Sequence, residues 1–396
     1  MQALVEGVPA AMLQLWTRWA SGAGLMLLVG FVTVVAALGY GRPVNNWDKI
    51  AYVAAVEKAH APAPATLHAR TWSIMRDTVP AGQLAGLANG DAYRSRQFTD
   101  PNAFASQIGM YGVKWLYVEV LRGSLSVFGV QHGAEVVNVG VALVFLAVLV
   151  LWLQATGNLV LAPLVVGFLM IAGYPALAMA VTPDLMAATF VLAGLLALDR
   201  DKPILGGLAL VLAVLTRPDV VVLTGLLVPV AWLWRDRLWP SLAGIFVASA
   251  AAYLFAVSAG SHVSYWAHLW FSTYQIQASM TDFHPAFSLR VYLTALAYNL
   301  LRAAVENTWL GIFIAGLGAL AAMAMAGMHI TGRRRVLITA LMTAVVAKFI
   351  LFPLHDGRVY VPLLLPVFLM LLAEVRRNLS SRGLADAHRP AGIAAQ

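Results

Sequence analysis

Gly22–Tyr40, GAGLMLLVGFVTVVAALGY, is a stretch of nineteen residues without a charged side chain. As a helix it would extend about 28 Å, close to the thickness of a bilayer's hydrocarbon core of about 30 Å. Arg18 precedes it, an arrangement also found in secretory signal sequences. However, the stretch is long for a signal core and no clean A-x-A cleavage site follows. The sequence therefore predicts an uncleaved first membrane span.

The composition of the whole chain agrees with a membrane protein. Hydrophobic residues make up 61% and charged residues 11%, whereas soluble proteins have about 45–50% and about 25%. The absence of cysteine excludes disulfides, a thiol nucleophile and cysteine metal sites. The formal charge of +8 fits basic residues that fix topology and contact anionic head groups of membrane lipids, so no nucleic-acid partner is expected.

Further apolar stretches recur along the chain between short polar turns. They are Ala134–Leu153, Leu159–Ala180, Pro183–Leu198, Ile204–Leu215, Val220–Trp234, Trp239–Ser258, Trp309–Met328, Val336–Pro353 and Val359–Ala373. They lack the alternation of a barrel strand, and only helices or closed barrels satisfy every backbone group in lipid. The fold class predicted is therefore all-α, a polytopic membrane helical bundle of about ten transmembrane helices, forming one domain over residues 1–396.

Basic residues indicate the orientation of this bundle. With the N-terminus in the cytoplasm, four basic clusters lie on the cytoplasmic side, as the positive-inside rule favours. These are Arg200 with Lys202, Arg235 with Arg237, Arg333 to Arg335, and Arg376 with Arg377. The prediction is an integral protein of a bacterial plasma (inner) membrane, with both termini and a tail at 376–396 in the cytoplasm and a large helical extracytoplasmic loop at 41–133.

Several charged residues fall in the short turns on the predicted outer side. They are Asp184, Arg217, Asp219, Asp356 and Arg358. The span before Arg217 has only twelve residues, or about 18 Å, so its polar end would lie below the membrane surface. Charges at that depth normally face protein or a water-filled cavity, which predicts an outward-opening cavity.

Two interpretations of the two arginines remain open from the residues alone. They could form local ion pairs, Arg217 with Asp219 and Arg358 with Asp356, that stabilise helix ends. They could instead bind an anion such as phosphate, which guanidinium groups recognise in bidentate fashion. Asp48 is similarly ambiguous: it shares a predicted helix face with Tyr52, yet it could be only a first-turn acid that the helix dipole stabilises.

Four short motifs, in their order and common sidedness, resemble the GT-C superfamily. These membrane glycosyltransferases use polyprenyl-phosphate-linked sugars and include protein mannosyltransferases and aminoarabinose transferases. The motifs are Asp48-x-x-x-Tyr52, Thr182-Pro183-Asp184 opening a helix, Leu215-Thr216-Arg217-Pro218 ending one, and Arg358-x-Tyr360-x-x-Pro362. One departure is Lys49, which stands where the family often has a second acid.

The resemblance implies transfer of a sugar from a polyprenyl-phosphate-linked donor to a lipid, glycan or protein acceptor at the outer membrane face, with inversion. Asp48 would be the general base, and the donor phosphate would bind Arg217, Arg358 and Lys49. The remaining substrate contacts would be Tyr52, Asp184, Asp219, His355, Asp356 and Tyr360. The lipid-linked donor is a substrate rather than a cofactor, no cofactor is expected, and metal dependence is undetermined.

Other functions also fit a polytopic membrane chain. A transporter or flippase for an envelope precursor would carry charged groups along its solute path, although the two related halves common in transporters are not evident. A noncatalytic assembly protein for envelope polymers is a further alternative. No histidine pair has the spacing of a helical zinc motif and no P-loop occurs, so neither a histidine-built metal site nor ATP hydrolysis is predicted.

Overall fold

A computed structural model describes residues 10–260 and 263–387, with side chains from residue 19 to 381. The end of the predicted tail, residues 388–396, lies outside the described residues. Within the described part of the chain the regular structure is helical, and one isolated bridge joins Val44 to Ala180. The all-α prediction is therefore confirmed.

Nineteen α-helices are numbered here in chain order. The first eight are α1 (Ala10–Gly41), α2 (Trp47–Glu57), α3 (Pro64–Thr78), α4 (Ala81–Asn89), α5 (Ala92–Thr99), α6 (Pro101–Gln107), α7 (Gly109–Gly112) and α8 (Trp115–Ala155). The next six are α9 (Ala162–Ile171), α10 (Tyr174–Met179), α11 (Asp184–Asp199), α12 (Pro203–Thr216), α13 (Val221–Leu233) and α14 (Trp239–Ala259). The last five are α15 (Tyr265–Thr273), α16 (Leu289–Glu306), α17 (Trp309–Met325), α18 (Gly332–Leu351) and α19 (Val361–Ala387).

Several of these helices are compatible with an integral membrane protein. Among the described residues, Trp19–Gly41, Trp115–Ala155 and Trp239–Ala259 are long and apolar enough to cross a membrane. A fourth span results if α16 and α17, which meet at an angle of 82°, count as one broken span. Every stretch predicted to span contains helix, but most are shorter or more charged. The count of about ten spans therefore stays a prediction.

The third predicted span is broken rather than continuous. The break lies between α9 and α10, where Gly173 adopts a left-handed backbone with φ of 75° and Pro175 lies in the first turn of the next helix. A left-handed residue interrupts the helical hydrogen-bond ladder, and glycine accepts that conformation most easily. A second break lies inside α8 at Gly129, with φ of 76°. It separates the part of α8 that belongs to the predicted extracytoplasmic loop from the long apolar part.

Two large hydrophobic cores organise the described residues. The larger joins α1, the apolar part of α8, helices α9 to α14 and helices α16 to α19. The smaller is built mainly from residues 50–137, with Val181 and Met186 added, and contains the buried rings of Tyr52, Trp72 and Phe104. Phe190 of α11 packs against both cores. The segment after α1 thus has a core of its own, seated on one end of the bundle.

Helix α2 is held in place both at its first turn and through the segment that precedes it. The Asn46 side chain accepts a hydrogen bond from the Lys49 amide and caps the helix, which satisfies one of its unpaired amides. Just before it, the Val44 amide donates to the Met179 carbonyl at 3.1 Å. This bond ties the start of α2 to the end of α10, so the first turn of α2 points to the same end of the bundle as the start of α11.

The predicted basic clusters meet at the opposite end, in what is here called the arginine clamp. Arg333 contacts Asp236 at 2.6 Å and Asp201 at 3.0 Å. Arg334 contacts Asp199 at 2.9 Å and Glu374 at 3.0 Å. The clamp links the end of α11, the turn after α13, the start of α18 and the middle of α19, so the four basic connections share one end of the bundle, as their predicted common side requires.

Candidate functional site

A charged network lies at the end of the bundle opposite the arginine clamp. Its members come from the start of α2, the start of α11, the end of α12, the end of α18 and the turn before α19. They are Asp48, Asp184, Arg217, Asp219, Lys348, Asp356 and Arg358. All lie at helix ends or in turns, where a polar side chain can leave the apolar bundle.

One half of the network is built around Arg217, the residue that ends α12. Its guanidinium contacts Asp184 and pairs with Asp219 through two hydrogen bonds of 3.0 and 3.2 Å. The Asp219 carboxylate also forms an ion pair with the Lys348 ammonium, with 2.5 Å between oxygen and nitrogen. Lys348 in turn donates to the Val359 carbonyl at 2.5 Å, which joins α18 to the turn before α19.

The other half is built around Arg358. Its Nη1 donates to Asp48 at 2.6 Å, across 310 residues of sequence. Its Nε lies 2.7 Å from an Asp356 oxygen and 3.6 Å from Asp184. The Nε makes no well-aligned hydrogen bond, so these two contacts are ion pairs by distance only. Asp184 touches both arginines and therefore joins the two halves.

The network is buried on one side and open on the other. The Asp184 side chain is 2% exposed, whereas Asp48 is 19% and Arg358 33% exposed. Asp219 and Asp356 are about as exposed as Arg358. The buried Asp184 carboxylate thus lies beneath the two arginines. Asp48 and Arg358 present their paired charges to solvent. A molecule arriving from this side would meet both of these groups together.

Three tyrosines line the helix face behind Asp48. Tyr52 is one turn from Asp48, and its ring lies 5.2 Å from Tyr111 and 5.0 Å from Tyr117. Burial, and next the Asp48 charge, raise the pKa of Tyr52 and of Tyr111 well above the ordinary value. Both phenols therefore stay protonated beside the Asp48 carboxylate.

Lys114 adds positive charge near the network. Its ammonium donates to the Met110 carbonyl and lies 5.5 Å from the Tyr111 ring centre. Burial, followed by the Arg217 charge, lowers the pKa of Lys114 to about 8. It forms no ion pair with any carboxylate among the described residues. Lys114 is therefore a cation beside the network whose charge titrates slightly above neutral pH.

The structure does not bring every predicted site residue to the network. Lys49 is buried and bonds Glu135 and Asn45, each at 2.9 Å. It points away from Asp48 into a separate ion pair, because neighbouring residues of a helix face about 100° apart. Its observed partners place Lys49 in a buried ion pair, and its role as a phosphate ligand stays a prediction.

Tyr360 and His355 lie beside the network rather than in it. Tyr360 is fully buried, stacks on Trp309 with ring centres 4.0 Å apart, and donates its hydroxyl to the Leu354 carbonyl at 2.9 Å. His355 bonds Asn299 at 3.0 Å. Both side chains are used to hold the turn that carries Arg358. Their observed partners therefore indicate positioning roles instead of the predicted direct substrate contacts.

Sequence reasoning missed Lys348, Lys114 and Tyr111. Lys348 had a usable signal, since a lysine inside an apolar stretch is rare unless it faces protein or water. Lys114 and Tyr111 had none, because both belong to a polar segment with many similar residues. Their proximity to Asp48 follows from how the smaller core packs.

No group of three or more His, Asp or Glu side chains suited to a metal ion occurs in the described ranges. Comparison with known proteins gives no matching family model, no matching curated protein and no matching solved structure. The geometry of the network therefore carries the functional interpretation.

Proposed function

We propose that this protein is a membrane glycosyltransferase of the GT-C type. It moves a sugar from a polyprenyl-phosphate-linked donor to an acceptor, with Asp48 as general base and the arginines of the network as ligands of the donor phosphate. The observation that carries this proposal is the 2.6 Å contact between Asp48 and Arg358. A carboxylate suited to accept a proton and a guanidinium suited to bind phosphate stand side by side at the open face of the network.

The reaction follows from this pairing. The donor phosphate contacts Arg358 and displaces Asp48, whose carboxylate then accepts the proton of the acceptor hydroxyl or amine. The acceptor oxygen or nitrogen forms a bond to the anomeric carbon as the bond from that carbon to the phosphate oxygen breaks. The electron pair stays on the phosphate, which leaves as polyprenyl phosphate. A single displacement of this kind inverts the anomeric configuration.

Charge in the network changes in the direction that this reaction needs. At the start, the four aspartates exceed Arg217, Arg358 and Lys348 by one negative charge. When Asp48 takes up the acceptor proton, that excess disappears. The proton arrives as negative charge grows on the leaving phosphate, so Asp48 no longer competes with the phosphate for Arg358 when the phosphate needs it most. This is electrostatic stabilisation of the transition state.

We also infer a topology of about ten spans, with both termini in the cytoplasm and the network at the outer face of a bacterial plasma membrane. The support is the separation of charge between the two ends of the bundle. The arginine clamp gathers basic residues from four connections at one end, as is typical of cytoplasmic loops. A polyprenyl chain would then reach the network from the lipid and the acceptor would reach it from outside.

The test compares lipid-linked sugars and envelope glycans in wild-type cells, a deletion strain and an Asp48→Asn strain with equal protein levels. Asp77→Asn is the matched control, because Asp77 is an exposed aspartate of α3, outside the network. Accumulation of a polyprenyl-phosphate sugar with loss of one glycan in both the deletion and Asp48→Asn strains would support the transferase and name its donor. A wild-type profile in Asp48→Asn, with an altered one in the deletion strain, would refute Asp48 as the base and favour transport.

A further inference from the structure

Three consecutive arginines open α18, and the third differs from the other two. Arg333 and Arg334 each pair with two carboxylates in the arginine clamp. Arg335 is exposed and pairs with no carboxylate among the described residues. Its guanidinium lies 4.9 Å from the ring centre of Trp234 and donates to the Ile330 carbonyl at 3.2 Å. The stacking orients a positive charge that no carboxylate of residues 10–260 or 263–387 neutralises.

Arg335 also lines a cavity of about 420 Å³ on the outside of the bundle. The cavity lies between α17 and α18, and its walls are mainly apolar. Besides Arg335 it is lined by Leu320, Met328, His329, Ile330, Ile338, Thr339, Met342 and Thr343. The cavity therefore combines an apolar wall with one free cation.

The surroundings place this cavity at a lipid-facing surface near the membrane boundary. Three exposed tryptophans, Trp232, Trp234 and Trp239, gather at the turn between α13 and α14, and tryptophan is enriched at the membrane interface. On α17, Ile314 and Met325 expose most of their side chains. An apolar groove with a cation at its interfacial end matches a phospholipid, whose acyl chain is apolar and whose phosphate is anionic.

We propose that this groove binds one anionic phospholipid, with an acyl chain between α17 and α18 and the headgroup phosphate on Arg335. Arg335 gives the site its preference for anionic over zwitterionic headgroups, because no carboxylate in the described part of the chain pairs with its charge. The site is at the end of the bundle opposite the charged network. It is independent of the proposed transfer reaction, and it holds whether the chain is a transferase or a transporter.

The experiment is native mass spectrometry of the full purified chain titrated with phosphatidylglycerol, and separately with phosphatidylcholine of the same acyl chains. The wild type should bind one phosphatidylglycerol more tightly than phosphatidylcholine. Arg335→Met keeps an apolar stem against Trp234 and removes the charge. It should lower affinity for phosphatidylglycerol about tenfold, which is the loss expected for one hydrogen bond to a charged group. Its affinity for phosphatidylcholine should fall less, because the choline cation already offsets the charge of that lipid's phosphate.

Thr343→Trp tests the groove separately, since it fills the groove from an exposed position and leaves Arg335 in place. It should weaken both lipids, whereas the control Arg290→Met, an exposed arginine of α16, should weaken neither. Equal binding of the two lipids by the wild type would overturn the proposal, as would wild-type lipid binding in either Arg335→Met or Thr343→Trp. Displacement of phosphatidylglycerol by inorganic phosphate at millimolar concentration would assign Arg335 to a soluble anion and would also overturn it.

Discussion

Replacing Asp48 by asparagine separates proton transfer from phosphate binding. The substitution keeps the shape of the side chain and its place in the first turn of α2, but it removes the negative charge and the ability to take up a proton. In the structure this carboxylate contacts Arg358 at 2.6 Å. An amide oxygen can accept the same hydrogen bond from the guanidinium, so the fold around it should persist.

The expected effects on rate and on binding have opposite directions. Loss of a general base lowers kcat by about 10²–10⁴-fold. The Asp48–Arg358 pair is partly exposed, and such a pair contributes only about 0.2–1 kcal/mol. In Asp48→Asn the donor phosphate no longer has to displace a carboxylate from the Arg358 guanidinium. It should therefore bind as tightly as in wild type or up to about fivefold more tightly.

The assay uses purified protein in nanodiscs with the lipid-linked sugar identified from the deletion strain. Single-turnover rates at saturating donor report the chemical step, and a titration of donor reports its dissociation constant. Asp77→Asn should match wild type in both. Unchanged single-turnover rate in Asp48→Asn would refute the role of Asp48 as base. Loss of donor binding with an unchanged rate would show that Asp48 holds substrate instead.

Three further outcomes follow from the contacts around the network. Asp184→Asn leaves Arg217 with one carboxylate in a buried site, and should cost about 2–3 kcal/mol of stability, seen as a lower melting temperature than Asp77→Asn. Because the pKa of Lys114 is lowered to about 8, donor affinity should fall as pH rises through about 8, and it should not change with pH in Lys114→Arg. Above about pH 8 the folded chain binds fewer protons at this lysine than the unfolded chain does. The contribution of Lys114 to stability therefore increases with pH. Lys49→Met should destabilise by about 3–5 kcal/mol by stranding Glu135, with stability restored in the double variant that also carries Glu135→Leu and with donor affinity unchanged in both; weaker donor binding in the stable double variant would return Lys49 to the site.

The two interpretations of the outer arginines are partly reconciled by the structure. The local pairs expected of a structural role are present, Arg217 with Asp219 and Arg358 with Asp356. Each arginine also reaches an aspartate from a distant helix, Asp184 or Asp48. Local pairs alone would hold helix ends, whereas the distant pairs converge on one open surface. That convergence is the reason to test phosphate binding.

Within the site, the sequence identified those residues whose charge is unusual for their surroundings. Asp184, Arg217 and Arg358 sit at the ends of apolar stretches, where a charge is costly and therefore informative. The position of Lys49 in sequence, next to Asp48, says nothing about which helix face it occupies, and its role as a phosphate ligand stays a prediction. The fixed 100° step between neighbouring residues of a helix sends the two side chains to different partners.

The sequence alone determined that this chain is helical and apolar enough for a membrane, and it determined the ends of α11 to α14, α17 and α18 to within a few residues. The physical reason is that burial in lipid depends on the summed hydrophobicity of a local stretch, and helix ends depend on a few neighbouring residues. Only the tertiary structure decided that Asp48 meets Arg358 across 310 residues, that Asp184 joins two arginines, and that Lys114 and Lys348 lie beside them. Those contacts depend on how helices pack, and packing is set by the complementary shapes of side chains that are remote in sequence.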